Sequence, residues 1–283
     1  MILPRRMHET GVSRVPGWRR LFRHSTRLGL RWLRGATRWR DARGGLARLL
    51  VPLDPWRYWE LGRLADVPFA GRCLDVSSPK LLPSLLTREG AGAWAAADLF
   101  HGEVARWRRL DPSLTLAVCD GRALPFPGAS FDHAVCVSVL EHIAGDGDAR
   151  TMDEIWRVLK PDGVLHLTTN VAREPREIWT RSRPWGSVHA ERDGLAFFER
   201  HYGPDEVAAR LLRRSWEVLT CEWVTESSRW VEDAFVRLRP FSYVLGRLLR
   251  FVCPGNFRVS RTPALPEDRR LGVVYLRLRK PAA

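Results

Sequence analysis

Three aspartates, two serines and a histidine stand where an α/β chain does its chemistry. Asp75 closes the apolar run Arg72–Val76, Asp98 and Leu99 follow Ala93–Ala97, and Asp120 and Gly121 follow Leu114–Cys119. In open α/β sheets, ligands gather at the carboxyl ends of the strands, near the point where strand order reverses. Asp98 stands about twenty residues beyond Asp75, an offset at which a carboxylate accepts both hydroxyls of a ribose. Asp120 can accept from the exocyclic amine of adenine, with the backbone after it supplying complementary donors. Between Asp75 and Pro79 the small residues Ser77 and Ser78 make a strand-to-helix turn. Either serine can cap the following helix, Pro79 suits its first position, and the free N–H groups there point at a ligand.

The fourth segment, Phe131–Ile143, is an apolar strand with an abrupt polar stop at Ser138, Glu141 and His142. His142 is the base candidate by position; the competing reading is a histidine that orients a loop through its hydrogen bonds. His189, Glu191, His201 and Tyr202 lie in or near a later insertion and are candidates for substrate contact, since loops carry much of a protein's recognition. Trp179, Trp185, Phe197 and Phe198 can wall an apolar pocket or pack a core.

These residues need a scaffold, and the pattern from Gly71 onward supplies one. Apolar runs at Arg72–Val76, Ala93–Ala97, Leu114–Cys119, Phe131–Val137, Gly163–Thr169, Glu217–Val224 and Gly272–Leu278 alternate with helical stretches. Such alternation predicts a Rossmann-like, doubly wound seven-stranded sheet, mostly parallel, with an antiparallel edge and helices on both faces. Residues 51–283 form this domain, with a core over 70–225 and 270–280 and insertions at 173–202 and 226–268. Residues 1–50 are a basic Arg/Trp-rich extension.

Taken together, the segments resemble the class I S-adenosylmethionine-dependent methyltransferases, in particular the type 11 group of ubiquinone and menaquinone C-methyltransferases. The stretch ALPFPGASFDHAVCVSVLEHI is close to that group's fourth-strand signature, and EIWRVLKPDGVLHLTT resembles its next helix, turn and fifth strand. The resemblance covers residues 70–170 and is fainter around YGPDEVAARLLRRSWEVLTCEWV. It implies S-adenosyl-L-methionine as cofactor, held by Asp75, Ser77, Ser78, Asp98, Leu99, Asp120, Gly121 and Ser138, with Ser138 near the methionine end. It also implies methyl transfer to an oxygen, nitrogen or carbon atom of a small-molecule acceptor, with no metal. One departure stands out: the family's glycine-rich turn after the first strand reads Asp75-Val76-Ser77-Ser78-Pro79 here. Glycine allows close approach and positive φ, and serine restricts both. A non-catalytic relative therefore stands as an alternative, beside a nucleic-acid methyltransferase.

Charge weighs against the nucleic-acid reading. Of the net +14, residues 1–50 carry +11, from 13 arginines against Glu9 and Asp41, which leaves +3 for the body. A nucleic-acid enzyme more often carries a basic groove within its body. Trp18, Phe22, Ser25, Gly29, Trp32, Ala36 and Trp39 recur at helical spacing among the arginines, and Gly44-Gly45 is expected to end that helix. Such a helix packs on the domain, docks on an anionic membrane surface through residues 18–50, or contacts nucleic-acid phosphates. No apolar run is long enough to span a membrane and no secretory signal is evident, so a cytoplasmic protein is expected, with membrane association open. Cys73, Cys119, Cys136, Cys221 and Cys253 form no CxxC pair and read as reduced structural thiols.

Overall fold

Each of the seven apolar runs becomes a strand of one sheet. The computed structural model describes residues 11–12, 15–36, 39–182, 190–228, 231, 235, 246–263, 265 and 271–282. In chain order the main elements are β1 (Gly11–Val12), α1 (Trp18–Arg34), α2 (Trp39–Leu50), α3 (Arg57–Ala65), β2 (Arg72–Val76), α4 (Leu81–Arg88), β3 (Ala93–Asp98), α5 (His101–Leu110), β4 (Thr115–Val118) and β5 (Phe131–Val137). There follow α6 (Gly147–Val158), β6 (Leu159–Val171), β7 (Arg176–Thr180), β8 (Glu191–Arg192), β9 (Leu195–His201), β10 (Glu217–Glu226), β11 (Phe257–Ser260) and β12 (Gly272–Arg279).

The main sheet has the order β1-β11-β10-β12-β6-β5-β2-β3-β4. Its β4-β3-β2-β5-β6 half is parallel, and every pairing beyond β6 is antiparallel. The sheet thus has nine strands where seven were expected, because β1 and β11 extend it past β10. The antiparallel β12 is an interior strand rather than an edge. Val273, Val274, Tyr275, Leu276 and Leu278 are all buried, as a strand covered on both faces requires. Strand order reverses between β2 and β5, which places the ligand crevice at their carboxyl ends.

Two apolar clusters sandwich the sheet. One gathers residues of α1, α3, α4 and α5, the other residues of α6 and the 204–211 helical stretch. Leu21, Phe22 and Leu28 of the N-terminal extension belong to the first cluster, and Trp18 and Trp32 pack against it partly buried. Arg19, Arg23, Arg27, Arg31 and Arg34 point outward. A buried chain fastens α1 in place: His24 Nε2 lies 2.7 Å from Ser84 Oγ, which donates to Asp111 at 2.5 Å. Gly44-Gly45 does not end a helix. Gly35 caps α1, and the glycine pair lies inside α2, where a Cβ on Gly44 would sit 2.6 Å from the Trp32 ring. Glycine there lets α1 and α2 pack backbone to side chain.

The first insertion folds into a small antiparallel sheet of order β7-β9-β8. An ion cluster under it ties it to the first turn of α6. Arg200 and Tyr202 each donate to Asp148 Oδ2 at 2.8 Å, Arg210 donates to both Asp148 oxygens at 2.8 Å, and Arg200 also reaches Glu177 at 2.8 Å. No helix among the described residues is long and apolar enough to cross a membrane.

Candidate functional site

Asp75 and Asp98 arrive together because β2 and β3 are parallel neighbours with Asp75 opposite Ala96 and Val76 opposite Ala97. Both strands therefore end at one edge, and both carboxylates are buried there. The turn after β2 is tied to the end of β3 by Ser77 N–H donating to Ala97 O at 3.0 Å. Ser77 adopts φ +56, the left-handed conformation that glycine would take at no cost. The serine turn thus follows a glycine's course.

Ser78 does not cap α4. Its Oγ faces the next strand instead, accepting from Val137 N–H at 2.7 Å and lying 3.4 Å from Val135 O. Lys80 takes the N-cap position, one residue beyond Pro79, and no side chain caps the helix. The lysine folds back into the crevice. Its Nζ lies 3.1 Å from Asp75 Oδ1 and 2.9 Å from Asp98 Oδ2, and it donates to Ser78 O at 2.7 Å. Only 1% of Lys80 is exposed. Neither Asp75 oxygen meets a hydrogen-bond partner of good geometry, whereas Asp98 Oδ1 accepts from Phe100 N–H at 2.9 Å. Burial pushes the Asp75 carboxyl up to about 6 against the pull of Lys80. Burial acts against the charged form of Lys80 too, but the two aspartates outweigh it and hold the ammonium charged.

Asp120 stands on the loop after β4, half-buried, and Arg122 donates to both of its oxygens. Those hydrogen bonds, working against burial, hold its carboxyl below the usual range. Gly121 beside it packs on Thr151 and Val76: a Cβ there would come within 3.2 Å of Thr151. Leu99 lies half-buried next to Asp98.

Ser138 ends β5 at φ +50 and donates to Glu60 Oε1 at 2.7 Å. Thr168, on β6, donates to the same oxygen at 2.7 Å, and Arg57 completes the group with bonds to Glu60 Oε2 and Ser138 Oγ at 2.5 and 3.0 Å. Glu60 and Arg57 come from α3, upstream of the segments that looked chemical in sequence. Their signal was a charged pair one turn apart, on the same helix face as Leu61 and Leu64, with Glu60 itself buried.

His142 follows in a short helical turn, Leu140–His142. Its Nδ1–H donates to Phe198 O at 2.9 Å, which places a proton on Nδ1; the two rings lie 5.5 Å apart. Glu141 is turned inward, takes a hydrogen bond from Thr169 at 2.8 Å, and has its carboxyl pushed up by burial. The insertion candidates divide. Tyr202 is fully buried on Asp148, so it faces structure rather than a substrate. His201 is held at both ring nitrogens, accepting from Arg176 at 2.9 Å and lying 2.7 Å from Glu199. Both residues therefore serve the insertion's own packing. Glu191 is exposed on β8; Trp179 packs edge-on against the buried Phe197. His189 and Trp185 lie outside the described residues. Among the described residues no three His, Cys, Asp or Glu side chains gather as a metal site.

One cleft of about 370 Å³ lies elsewhere, lined by His24, Arg27, Arg31, Arg88, Asp111 and Ser113 among others. It sits where α4 and the loop before β4 meet α1, at the amino ends of β3 and β4. That is the edge of the sheet where α/β proteins do not place their cofactor.

Residues 74–167 match a family described as "Methyltransferase domain". This span runs from β2 to β6 and contains Asp75, Lys80, Asp98, Asp120, Ser138 and His142. No curated protein matches the chain. Among solved structures, the chain is similar to a putative methyltransferase from Bacillus halodurans, at 15% identity over 80% of this chain and 99% of that one, with a TM-score of 0.48. It is also similar to an S-adenosylmethionine-dependent methyltransferase from Mesorhizobium loti, at 19% identity over 77% and 94% of the two chains, with a TM-score of 0.47. A SAM-dependent methyltransferase from Methanosarcina mazei follows, at 17% identity over 75% and 93%, with a TM-score of 0.46.

Proposed function

We propose that this chain, which matches a methyltransferase domain over residues 74–167, is a class I S-adenosylmethionine-dependent methyltransferase that methylates a small-molecule acceptor. The supporting observation is the meeting of Asp75 and Asp98 at one strand edge, beside a turn whose serine backbone bends as glycine would. The residues fit an adenosine-bearing cofactor in kind. Asp98 offers Oδ2 to ribose hydroxyls, and Asp120 offers an acceptor to the adenine amine once Arg122 shares it. Ser138, already oriented by Glu60 and Arg57, presents a hydroxyl at the end of β5.

When bound, the cofactor supplies a methyl group activated by its sulfonium charge, so the protein's main task is alignment. His142 Nε2 accepts the proton of the acceptor's nucleophile. The Phe198 carbonyl keeps the ring in the tautomer that this requires. Phe198, carried by the small sheet, gives the acceptor side an aromatic wall beside the base. The modest charge of the body favours a small molecule over a nucleic acid.

Incubation of the protein with methyl-labelled S-adenosylmethionine and fractionated cell extract tests this. Label is expected in a low-molecular-weight fraction, and His142→Ala should lower the transfer rate by roughly 10²–10⁴-fold. Label confined to RNA or DNA, or to no fraction, contradicts the proposal.

A further inference from the structure

Lys80 is a charged group in the crevice that the methyltransferase reading does not use. It is also deeply engaged. Its ammonium lies within ion-pair distance of Asp75 Oδ1 and Asp98 Oδ2 and donates to Ser78 O, and almost none of the side chain meets solvent. Asp98 Oδ2 faces the Lys80 ammonium while Oδ1 accepts from the Phe100 backbone, so a ribose approaching Asp98 meets Lys80 at Oδ2.

We infer that Lys80 is a resident competitor for the cofactor's place on Asp98 and thereby sets the affinity of the crevice. The inference rests on the cofactor reading given above. A ribose hydroxyl and the Lys80 ammonium claim the same oxygen, and an ammonium–carboxylate bond is roughly twice as strong as a neutral hydrogen bond. Cofactor binding therefore spends part of its energy on releasing Asp98. Lys80 does not leave the crevice to do so. Asp75 is fully buried with no hydrogen-bond partner of good geometry and Lys80 as its neighbouring cation, and an uncompensated buried carboxylate is strongly unfavourable. The lysine stays on Asp75 and lets go of Asp98. At neutral pH the triad carries one net negative charge, against two for the aspartates without Lys80.

The test compares affinities of the full-length protein for S-adenosylmethionine and S-adenosylhomocysteine by calorimetry, a readout independent of turnover. The key variant is Asp75→Asn with Lys80→Met. It keeps the single net negative charge of the triad, removes the competitor and leaves Asp98 open. It is expected to bind both ligands at least tenfold more tightly than the wild type. Lys80→Met alone leaves two uncompensated carboxylates, so its unliganded melting temperature should fall, and S-adenosylhomocysteine should raise it by more degrees than in the wild type. Lys80→Arg, which restores a cation, should return the affinity to within threefold of the wild type. A folded double variant that binds no better than the wild type overturns the inference while leaving the cofactor reading intact. Absence of binding by wild type and variants alike overturns both.

Discussion

Two buried ion clusters divide the labour of this molecule, and they are built in opposite ways. At the ends of β2 and β3, two carboxylates share one lysine; beneath the small sheet, one carboxylate, Asp148, holds two arginines and a tyrosine. Burial works against the charged carboxylate in both. In the second cluster the hydrogen bonds of Arg210 and Tyr202 and the charges of Arg200 and Arg210 outweigh burial, and the Asp148 carboxyl sits below the ordinary range. In the first, burial wins and Asp75 is raised to about 6. The over-satisfied cluster is a fastening. The under-satisfied one keeps unmet acceptor capacity at the strand ends, which is what a ligand crevice needs.

Removing the central acid of the fastening should have the largest effect. Asp148→Ala leaves Arg200 and Arg210 without their shared buried partner and should destabilise the fold by about 3–5 kcal/mol, read by urea denaturation. Asp75→Asn should cost far less under the same conditions, because Lys80 keeps Asp98. Equal losses at the two sites would erase the distinction.

The pH dependence of stability should separate the clusters next. The unfolded chain releases the Asp75 proton near 3.8 and the native state near 6, so between these values only the native state holds it. Stability from this group is full below about pH 4 and declines as pH rises to about 6, by up to about 3 kcal/mol. His24 opposes it: burial lowers its value from 6.5 to about 4, so its contribution grows over a similar window as pH rises. The wild-type profile minus that of Asp75→Asn isolates the falling limb. A difference profile that is flat from pH 4 to 6 would show that Asp75 is not an under-satisfied acid. Asp148 has the other sign: its lowered value gives stability that is present above 3.8 and lost as pH falls through the native value.

The smallest effect concerns the turn that frames the crevice. Ser77 at φ +56 bears a left-handed penalty, and glycine relieves it at some entropic cost in the unfolded chain. Ser77→Gly should raise stability by about 0.5–1 kcal/mol, measured as a shift in the urea midpoint at unchanged slope. A loss of stability would mean that the serine hydroxyl, rather than the backbone course, shapes the turn.

The strands and the gathering of Asp75 and Asp98 were legible in sequence, because buried strands read as apolar runs and the first two runs carry an aspartate at their ends. The place of β12 was not legible: its apolar run fits an edge or an interior strand equally, and only pairing with both β6 and β10 decides. Lys80, directly after Pro79, carried no role in the sequence reading, since a flexible side chain at a helix start can point to solvent or fold back. Burial of two acids with too few donors decides the direction. Glu60 and Arg57 were missed because they approach from α3, outside the strand-end segments. His201 and Tyr202 looked like substrate contacts because polar residues in an insertion usually face ligand or solvent; here they hold the insertion together.

The central claim is that Asp98 receives the cofactor's ribose after Lys80 releases it. A crystal structure of the full-length protein with S-adenosylhomocysteine tests this most directly. The account predicts ribose hydroxyls within hydrogen-bond distance of Asp98 Oδ2, with Lys80 Nζ still on Asp75. Ligand bound away from β2 and β3, or Lys80 still bridging both aspartates beside a ribose that contacts neither, would contradict it.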